Sequence, residues 1–199
     1  MPRHRDLAPV GADYATTGPN HNSLHRSIPA SRDELFSCLE DGQATKEWQG
    51  VDVEWTSRPP RGIGSTRTLK GLGQTVEQSV LAWEPGKRMC FRNDRTTLPL
   101  AAFAEDYIIT PTSDSACELH WHYAFEWGGR AKPVLGRLFG LAFAVGGRRD
   151  LSKLARLLKS QRSPTDRPSR PGSVSRNFVT VLASTWKRSA AASIVQPSS

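Results

Sequence analysis

The sequence has little cysteine and no long apolar run. Its three cysteines, Cys38, Cys90 and Cys117, are widely spaced and form no C-x-x-C pair, which excludes the usual zinc and disulfide-exchange motifs. No apolar stretch approaches the roughly 20 residues needed to span a bilayer. Residues 1–21 also lack the apolar core of a secretory signal. The default expectation is therefore a cytoplasmic protein.

Motifs for cofactors and nucleophilic catalysis are missing as well. The Gly-Leu-Gly segment 71–73 lacks the strand-then-helix context of a phosphate-binding loop. His120 and His122 are two residues apart in a strand pattern, so both imidazoles lie on the same, polar face. No neighbouring carboxylate or cysteine completes a metal shell there. We expect solvated surface histidines, no metal site and no cofactor.

The positive charge is concentrated toward the C-terminus. The chain carries 27 Lys+Arg and 19 Asp+Glu, a net charge of +8. Residues 130–160 have a net charge of +7 and residues 161–199 of +5, which leaves −4 for the rest. Because the basic residues are not interleaved with aromatic ones, the chain lacks the pattern of a nucleic-acid platform. We expect no nucleic-acid partner.

Hydrophobic periodicity predicts an α+β fold. A capping box, Ser31 to Glu34, precedes a short amphipathic helix over residues 32–40, and a second turn or helix is indicated at 45–48. Alternation with a period of two predicts strands at 23–28, 51–56, 65–70, 74–84, 88–93, 103–110 and 117–127. Short turns join most of them, which favours an antiparallel meander. A long helix over 132–159 follows, and the pair Gly146 and Gly147 is expected to bend or loosen it.

These patterns divide the chain into three parts. Residues 1–21 are interpreted as a flexible N-terminal arm, residues 22–160 as a ligand-binding domain, and residues 161–199 as a basic, mostly unstructured tail rich in Ser, Pro and Arg. Within the tail, Phe178, Val181, Leu182 and Trp186 have helical spacing beside two basic residues. This segment fits either a membrane-surface or partner helix, or a frayed end, and stays unassigned.

Several local sequences resemble one known family. Residues 28–36, Ile-Pro-Ala-Ser-Arg-Asp-Glu-Leu-Phe, resemble the opening I-x-A-x-x-E-x-V-F of the START-like (Bet v 1-like, SRPBCC) superfamily. Residues 62–67, 76–77, 83–89 and 151–158 resemble the middle strands and final helix of its polyketide cyclase/dehydrase-type members. The resemblance implies a helix-grip fold, in which an antiparallel sheet wraps around a long C-terminal helix. The family includes carriers of lipids and hydrophobic ligands as well as polyketide aromatases and cyclases.

Strand alternation predicts which side chains face the interior. Two carboxylates, Glu77 and Glu105, then lie on mainly apolar faces, where an unpaired charge would be very costly. Arg67 with either glutamate, together with Tyr107 and Asn93, would form a polar anchor for an apolar ligand. In the alternative, both glutamates are solvated at the rim of the sheet. The predicted ligand-binding residues are Arg67, Glu77, Trp83, Phe91, Phe103, Glu105, Tyr107, Trp121 and Tyr123.

Three functions are compatible with these features. The first is binding of a small hydrophobic or aromatic ligand, lipid or polyketide-like, in a cavity between the sheet and the C-terminal helix. The second, implied by the resemblance, is a polyketide cyclase or dehydratase using the inward carboxylates, although no catalytic residue can be assigned. The third is an interaction protein whose basic tail makes weak contacts with acidic surfaces. The oligomeric state is not predicted.

Overall fold

The computed structural model describes residues 4–71, 73–128 and 132–162. For residues 132–135 it describes the helical backbone only. Three segments precede or open the domain: β1 (Arg5–Asp6), α1 (Tyr14–Thr17) and β2 (Asn22–Ile28). Two short helices follow, α2 (Arg32–Glu40) and α3 (Gly42–Gln49). The remaining strands are β3 (Asp52–Trp55), β4 (Thr66–Gly71), β5 (Gln74–Glu84), β6 (Arg88–Thr96), β7 (Leu100–Ser113) and β8 (Ala116–Trp127), and the last helix is α4 (Lys132–Arg162). Most of the predicted tail lies outside the described residues.

The strands form one antiparallel sheet. Their order is β2-β8-β7-β6-β5-β4-β3, and β1 pairs separately with β6. From β3 to β8 each strand pairs with the next along the chain, as a meander does, while β2 closes the far edge beside β8. The predicted α+β class and helix-grip arrangement, with α2, α3 and α4 on the inner face of the sheet, are confirmed.

Helices α2 and α3 are joined by one residue and capped by their own sequence. Ser31 accepts a hydrogen bond from the Glu34 N–H (3.3 Å), and the Glu34 carboxylate accepts one from the Ser31 N–H (2.7 Å), which completes the predicted capping box. Asp41 ends α2 and caps α3 by accepting from the Gln43 N–H at 2.7 Å. Gly50, with φ of 77°, ends α3 in the left-handed region that favours glycine. These caps fix both helices over the inner face of the sheet.

Helix α4 is one continuous helix across the pair Gly146 and Gly147, in agreement with the single long helix expected from the sequence. A Cβ atom on Gly147 would lie 2.5 Å from Leu24 Cδ1 and 3.0 Å from Trp121 Cζ3. The glycine therefore allows the helix to approach β2 and β8 closely, and this packing offsets its lower helix propensity of about 1 kcal/mol. Phe139 and Phe143 of α4 pack on the same sheet.

The N-terminal segment differs from the loose arm expected from its composition. Residues 5–6 pair with β6, the Leu7 N–H donates to the Asp94 carbonyl at 2.9 Å, and Ala15 is fully buried. The Cys90 thiol on the outer face of β6 lies 3.9 Å from the Ala12 carbonyl. A two-residue strand and one helical turn are too short to produce periodicity, so sequence patterning could not reveal this covering of the sheet's outer face.

Candidate functional site

The inner face of β7 and β8 carries the side chains that alternation predicts. On β7 these are Phe103, Glu105, Tyr107 and Ile109, all buried. On β8 they are Leu119, Trp121, Tyr123, Phe125 and Trp127, also buried. Because one face of these strands is covered by helices, the phase of the alternation is fixed by burial. The sequence therefore places Glu105 in the interior correctly.

On β5 the prediction is wrong by one residue. The pairing of β5 with β6 is irregular between Glu77 and Gln78 and again between Val80 and Ala82. The first places an extra residue, Asp94, on β6, and the second places an extra residue, Leu81, on β5. The extra residue on β5 reverses its alternation, so the phase read backward from Trp83 does not hold in the first half of the strand. Gln78 is buried, whereas the Glu77 side chain is 39% exposed and pairs with Arg95 at 3.4 Å. Glu77 is not part of the interior.

Glu105 is the centre of a buried hydrogen-bond network. Its Oε1 accepts from Gln78 Nε2 at 3.0 Å and lies 3.5 Å from Arg67 Nη2. Its Oε2 accepts from the Tyr107 hydroxyl at 3.0 Å and from Trp121 Nε1 at 3.2 Å. Both carboxylate oxygens are therefore occupied by donors from four strands of the sheet. Burial of this charge is compensated by a cation and three hydrogen bonds.

Arg67 joins this carboxylate to the neighbouring strands. Its Nε donates to Gln78 Oε1 at 2.8 Å, and Gln78 Nε2 also donates to Asn93 Oδ1 at 2.9 Å. The guanidinium carbon lies 3.5 Å from the centre of the Phe91 ring and 5.7 Å from that of Trp55, within the range of cation–π contacts. We call the set Arg67, Gln78, Asn93, Glu105, Tyr107 and Trp121 the inner network.

Burial shifts the pKa values of two members of the inner network. Burial, and then the nearby Glu105 carboxylate, raise the pKa of Tyr107 well above its usual value, so its hydroxyl stays protonated and donates a hydrogen bond to Glu105. Burial lowers the pKa of Arg67, and Glu105 opposes that change. A guanidinium titrates so far above neutrality that Arg67 remains a cation.

A small cavity lies beside Arg67, between the sheet and the two short helices. Its volume is about 10 Å³, about enough for one water molecule. Its described lining comes from α2, α3 and three strands: Leu39, Thr45, Trp48, Gln49, Arg67, Phe91 and Tyr107. Arg67, Phe91 and Tyr107 belong both to the predicted ligand-binding residues and to this lining. The cavity lies beside the two short helices, whereas it was expected between the sheet and the C-terminal helix.

One donor of a residue that lines the cavity has no acceptor in the part of the chain that the structure describes. Trp48 is 2% exposed, and its indole N–H has no hydrogen-bond partner within the described parts of the chain. The Thr45 hydroxyl, by contrast, donates to the Asp41 carbonyl at 2.9 Å. A buried N–H without a partner costs about 1–3 kcal/mol. The cavity is therefore bordered by a cation and by a free donor, which both favour an oxygen acceptor.

The other predicted residues lie around this site. Trp83 packs edge-on against Phe36 and Trp55, with ring centroids 5.2 and 5.8 Å apart. Phe103 and Tyr123 pack against Phe143 of α4, at 6.0 and 4.6 Å. Aromatic rings thus occupy this part of the space between the sheet and α4. Glu105 and Trp121 lie behind the cavity, joined to it through Tyr107.

Sequence reasoning missed four lining residues and one network residue. Gln78 was excluded because the irregular pairing of β5 has no sequence signature. Leu39, Thr45, Trp48 and Gln49 lie on α2 and α3, whereas the search for site residues was confined to strands. Thr45 and Trp48 are three residues apart in the predicted helix and therefore lie on the same face of it. This spacing would have indicated which face of the helix contacts the sheet.

The histidines predicted on the polar face lie on the outer face of the sheet. The rings of His120 and His122 stack with centroids 6.3 Å apart, and His120 lies 3.5 Å from Glu118. Within the described ranges, no group of three or more His, Cys, Asp or Glu side chains is arranged to hold a metal ion. Among the same residues, no helix combines the length and apolar content needed to cross a bilayer.

Comparison with known proteins agrees with this architecture. Uncharacterized proteins of Mycobacterium tuberculosis and Mycobacterium bovis are 35% identical over 130 residues, which is 63% of this chain and 77% of theirs. The Zhui aromatase/cyclase of Streptomyces sp. R1128 superposes with a TM-score of 0.60 at 13% identity, covering 74% of this chain and 98% of that one.

A second structural neighbour is the di-domain aromatase/cyclase BexL of the BE-7585A biosynthetic pathway. It superposes with a TM-score of 0.61 at 15% identity over 72% of this chain and 48% of that one. At such identities the two structures show the fold alone. The family described as "Polyketide cyclase / dehydrase and lipid transport" matches residues 21–160. The chain belongs to this polyketide cyclase/dehydrase and lipid transport family.

Proposed function

We propose that the protein binds a small, largely apolar or aromatic molecule in the cavity beside Arg67, with an oxygen atom of the ligand facing Arg67 and Trp48. The observation that carries this proposal is that one small, mainly apolar cavity is lined both by the buried cation Arg67 and by Trp48, whose indole N–H has no partner among the described residues. Pockets of this kind use a few polar groups to orient a mainly apolar ligand.

The stability of the fold alone does not account for the inner network. Arg67 and Glu105 are each 5% exposed, so both charges are removed from water. Replacing such a pair with apolar residues of similar volume is often neutral or stabilising, because desolvation cancels much of the attraction. A role in ligand binding accounts for a buried charge pair at this position, whereas packing does not.

The size of the cavity sets a condition for binding. In this structure the volume of about 10 Å³ corresponds to one water molecule. An aromatic ligand therefore requires α2 and α3 to move away from the sheet, or the side chains of Leu39 and Trp48 to change rotamer. Ligand binding should accordingly protect the α3 backbone from hydrogen exchange relative to the free protein.

Acid–base catalysis is less well supported than binding. Both oxygens of Glu105 already accept hydrogen bonds, and the Tyr107 proton is directed to Glu105 rather than to the cavity. Neither group is positioned to exchange a proton with a ligand. Arg67 could stabilise a developing enolate oxygen, as a cyclase requires, so catalysis remains a second candidate that depends on this one cation.

Tryptophan fluorescence tests the binding proposal with two matched probes. Naphthalene and 2-naphthoate share an aromatic body, but only the second carries an oxygen head. We expect 2-naphthoate to quench saturably with about tenfold or greater preference, because a hydrogen bond to a charged group contributes about 1.5–3 kcal/mol. In the double variant Arg67→Met/Glu105→Leu, both charges are absent and the preference should disappear while naphthalene still binds.

Arg61→Met is the matched control. Arg61 also lies over the Trp55 ring, at 4.5 Å, but pairs with Glu40 and is only half-buried. It should retain the full preference for 2-naphthoate. Absence of saturable quenching in the unmodified protein, or an unchanged preference in the double variant, would contradict the proposal. Turnover of a tethered polyketide that survives in Arg61→Met and is lost in the double variant would support the cyclase instead.

A further inference from the structure

Helix α4 has two opposite apolar faces in its first half, and the sheet covers only one of them. Successive residues turn by about 100° around a helix, which puts Leu141 nearly opposite both Phe139 and Phe143, with Leu138 and Val145 beside it on the same outward side. The first two pack on the sheet. On the other side, Leu138, Leu141 and Val145 are 54%, 66% and 53% exposed. We call these three residues the outer stripe.

The same outward face becomes strongly basic in the second half of the helix. Arg148 and Arg149 follow the outer stripe by one turn, Arg156 and Lys159 continue it, and all four are exposed. Over residues 132–162 there are eight Lys/Arg and a single acidic residue, Asp150, which pairs with Lys153 at 2.8 Å. The sequence beyond residue 162 adds five Lys/Arg and one Asp. The face is therefore apolar at one end and cationic at the other.

We propose that this face of α4 docks on a lipid surface bearing anionic headgroups, with the outer stripe inserted among the acyl chains and the arginines against the headgroups. Helices that lie in a membrane interface combine an apolar stripe with Lys/Arg in this way. Basic side chains near an anionic leaflet add attraction that falls with ionic strength. The proposal does not depend on the cavity beside Arg67.

Charge and shape favour lipid over the other possible occupants. The nucleic-acid backbone offers phosphates to the arginines but no apolar surface for Leu138, Leu141 and Val145. A second copy of this chain would bring the same basic face against itself, so that Arg148 and Arg149 meet like charges. An anionic bilayer satisfies both halves of the face at once, because its headgroups and acyl chains lie side by side.

Vesicle co-sedimentation of the full chain tests the proposal. The vesicles are phosphatidylcholine alone, or phosphatidylcholine with one third phosphatidylglycerol. We expect binding to the anionic vesicles that weakens with added salt. Leu141→Ser should lower the partition coefficient about tenfold, because a leucine side chain is no longer removed from water. Arg148→Glu/Arg149→Glu should lower it roughly 25-fold or more, from about fivefold for each basic residue near the surface.

Two control variants match these changes elsewhere on the molecule. Ile63→Ser removes an aliphatic side chain that is 74% exposed in the loop before β4, and Arg26→Glu/Arg58→Glu makes the same charge change at exposed positions. Both should bind within about twofold of the unmodified protein.

Four results would overturn the proposal. They are no binding to anionic vesicles, equal binding to neutral ones, an unchanged partition coefficient in Leu141→Ser, and equal losses in the control variants. Sedimentation velocity tests whether a second copy of this chain binds the outer stripe instead of lipid. A dimer of the unmodified protein that dissociates in Leu141→Ser would show that it does.

Discussion

Two adjacent residues of β7, Glu105 and Asp106, each pair with an arginine, but they do so on opposite faces of the sheet. Glu105 points to the inner face and lies 3.5 Å from Arg67, and both side chains are 5% exposed. Asp106 points to the outer face, where Arg88 contacts it through Nε at 3.0 Å and Nη2 at 2.9 Å. Asp106 is 3% exposed but Arg88 is 32% exposed. Each pair joins a carboxylate to an arginine of another strand, but only Arg88, the arginine of the outer pair, is partly exposed to water.

The pKa values of the two arginines move in opposite directions. Hydrogen bonds from Arg88 to Asp106 raise the pKa of Arg88 and outweigh the lowering by its partial burial. Burial lowers the pKa of Arg67 despite the Glu105 charge. The outer pair is thus an ordinary stabilising contact, whereas the inner pair is retained against its desolvation cost. This contrast is the main reason to regard the inner face, rather than the outer one, as functional.

Removal of one charge from the inner pair should have the largest effect on stability. Glu105→Gln leaves Arg67 buried without a compensating carboxylate, and we expect the free energy of unfolding to fall by about 3–5 kcal/mol. Urea denaturation followed by circular dichroism measures this. A loss below about 1 kcal/mol would mean that the inner network is hydrated, and the comparison with Asp106 would fail.

The equivalent change on the outer face should cost less. Asp106→Asn weakens the bidentate contact with Arg88, but that arginine can turn toward water instead of remaining buried. The expected loss is about 1.5–3 kcal/mol, the usual contribution of hydrogen bonds to charged groups. The same urea experiment checks it. A loss larger than that of Glu105→Gln would reverse the assignment of the two pairs.

Removal of both inner charges should cost little. In Arg67→Met/Glu105→Leu, Tyr107 and Trp121 lose their acceptor and Gln78 loses two partners. No charge is left unpaired, however, and the avoided desolvation of two charges offsets the cost of these unpaired groups. We expect the free energy of unfolding to stay within about 1 kcal/mol of that of the unmodified protein. If the double variant were as unstable as Glu105→Gln, the inner network would be needed for folding, and its proposed role in binding would lose its physical basis.

The smallest effect is expected at Glu77. Because its side chain is half-exposed and pairs with a half-exposed Arg95, Glu77→Gln should change the free energy of unfolding by about 0.5 kcal/mol or less. Its sequence neighbour provides the contrast, since Gln78→Leu removes three hydrogen bonds of the inner network. Similar losses at both positions would show that the irregular pairing of β5 does not set which residue faces inward.

The parts of the fold that burial determines were predictable from sequence. The capping box of α2 and the alternation of β7 and β8 required only local spacing, so Glu105, Tyr107 and Trp121 were placed inside correctly. Glu77 was misplaced because a bulge changes the phase of a strand without changing its composition. The N-terminal cover of the outer face and the role of Trp48 depend on tertiary contacts, which a local pattern does not contain.

The central claim is that Trp48 and Arg67 together bind an oxygen atom of the ligand. The most direct measurement is the NMR signal of the Trp48 indole N–H during titration with 2-naphthoate. This N–H has no acceptor among the described residues, so we predict a downfield shift on binding, while the Trp121 indole N–H, already bonded to Glu105, moves little. Binding of 2-naphthoate that leaves the Trp48 signal unmoved would contradict the account.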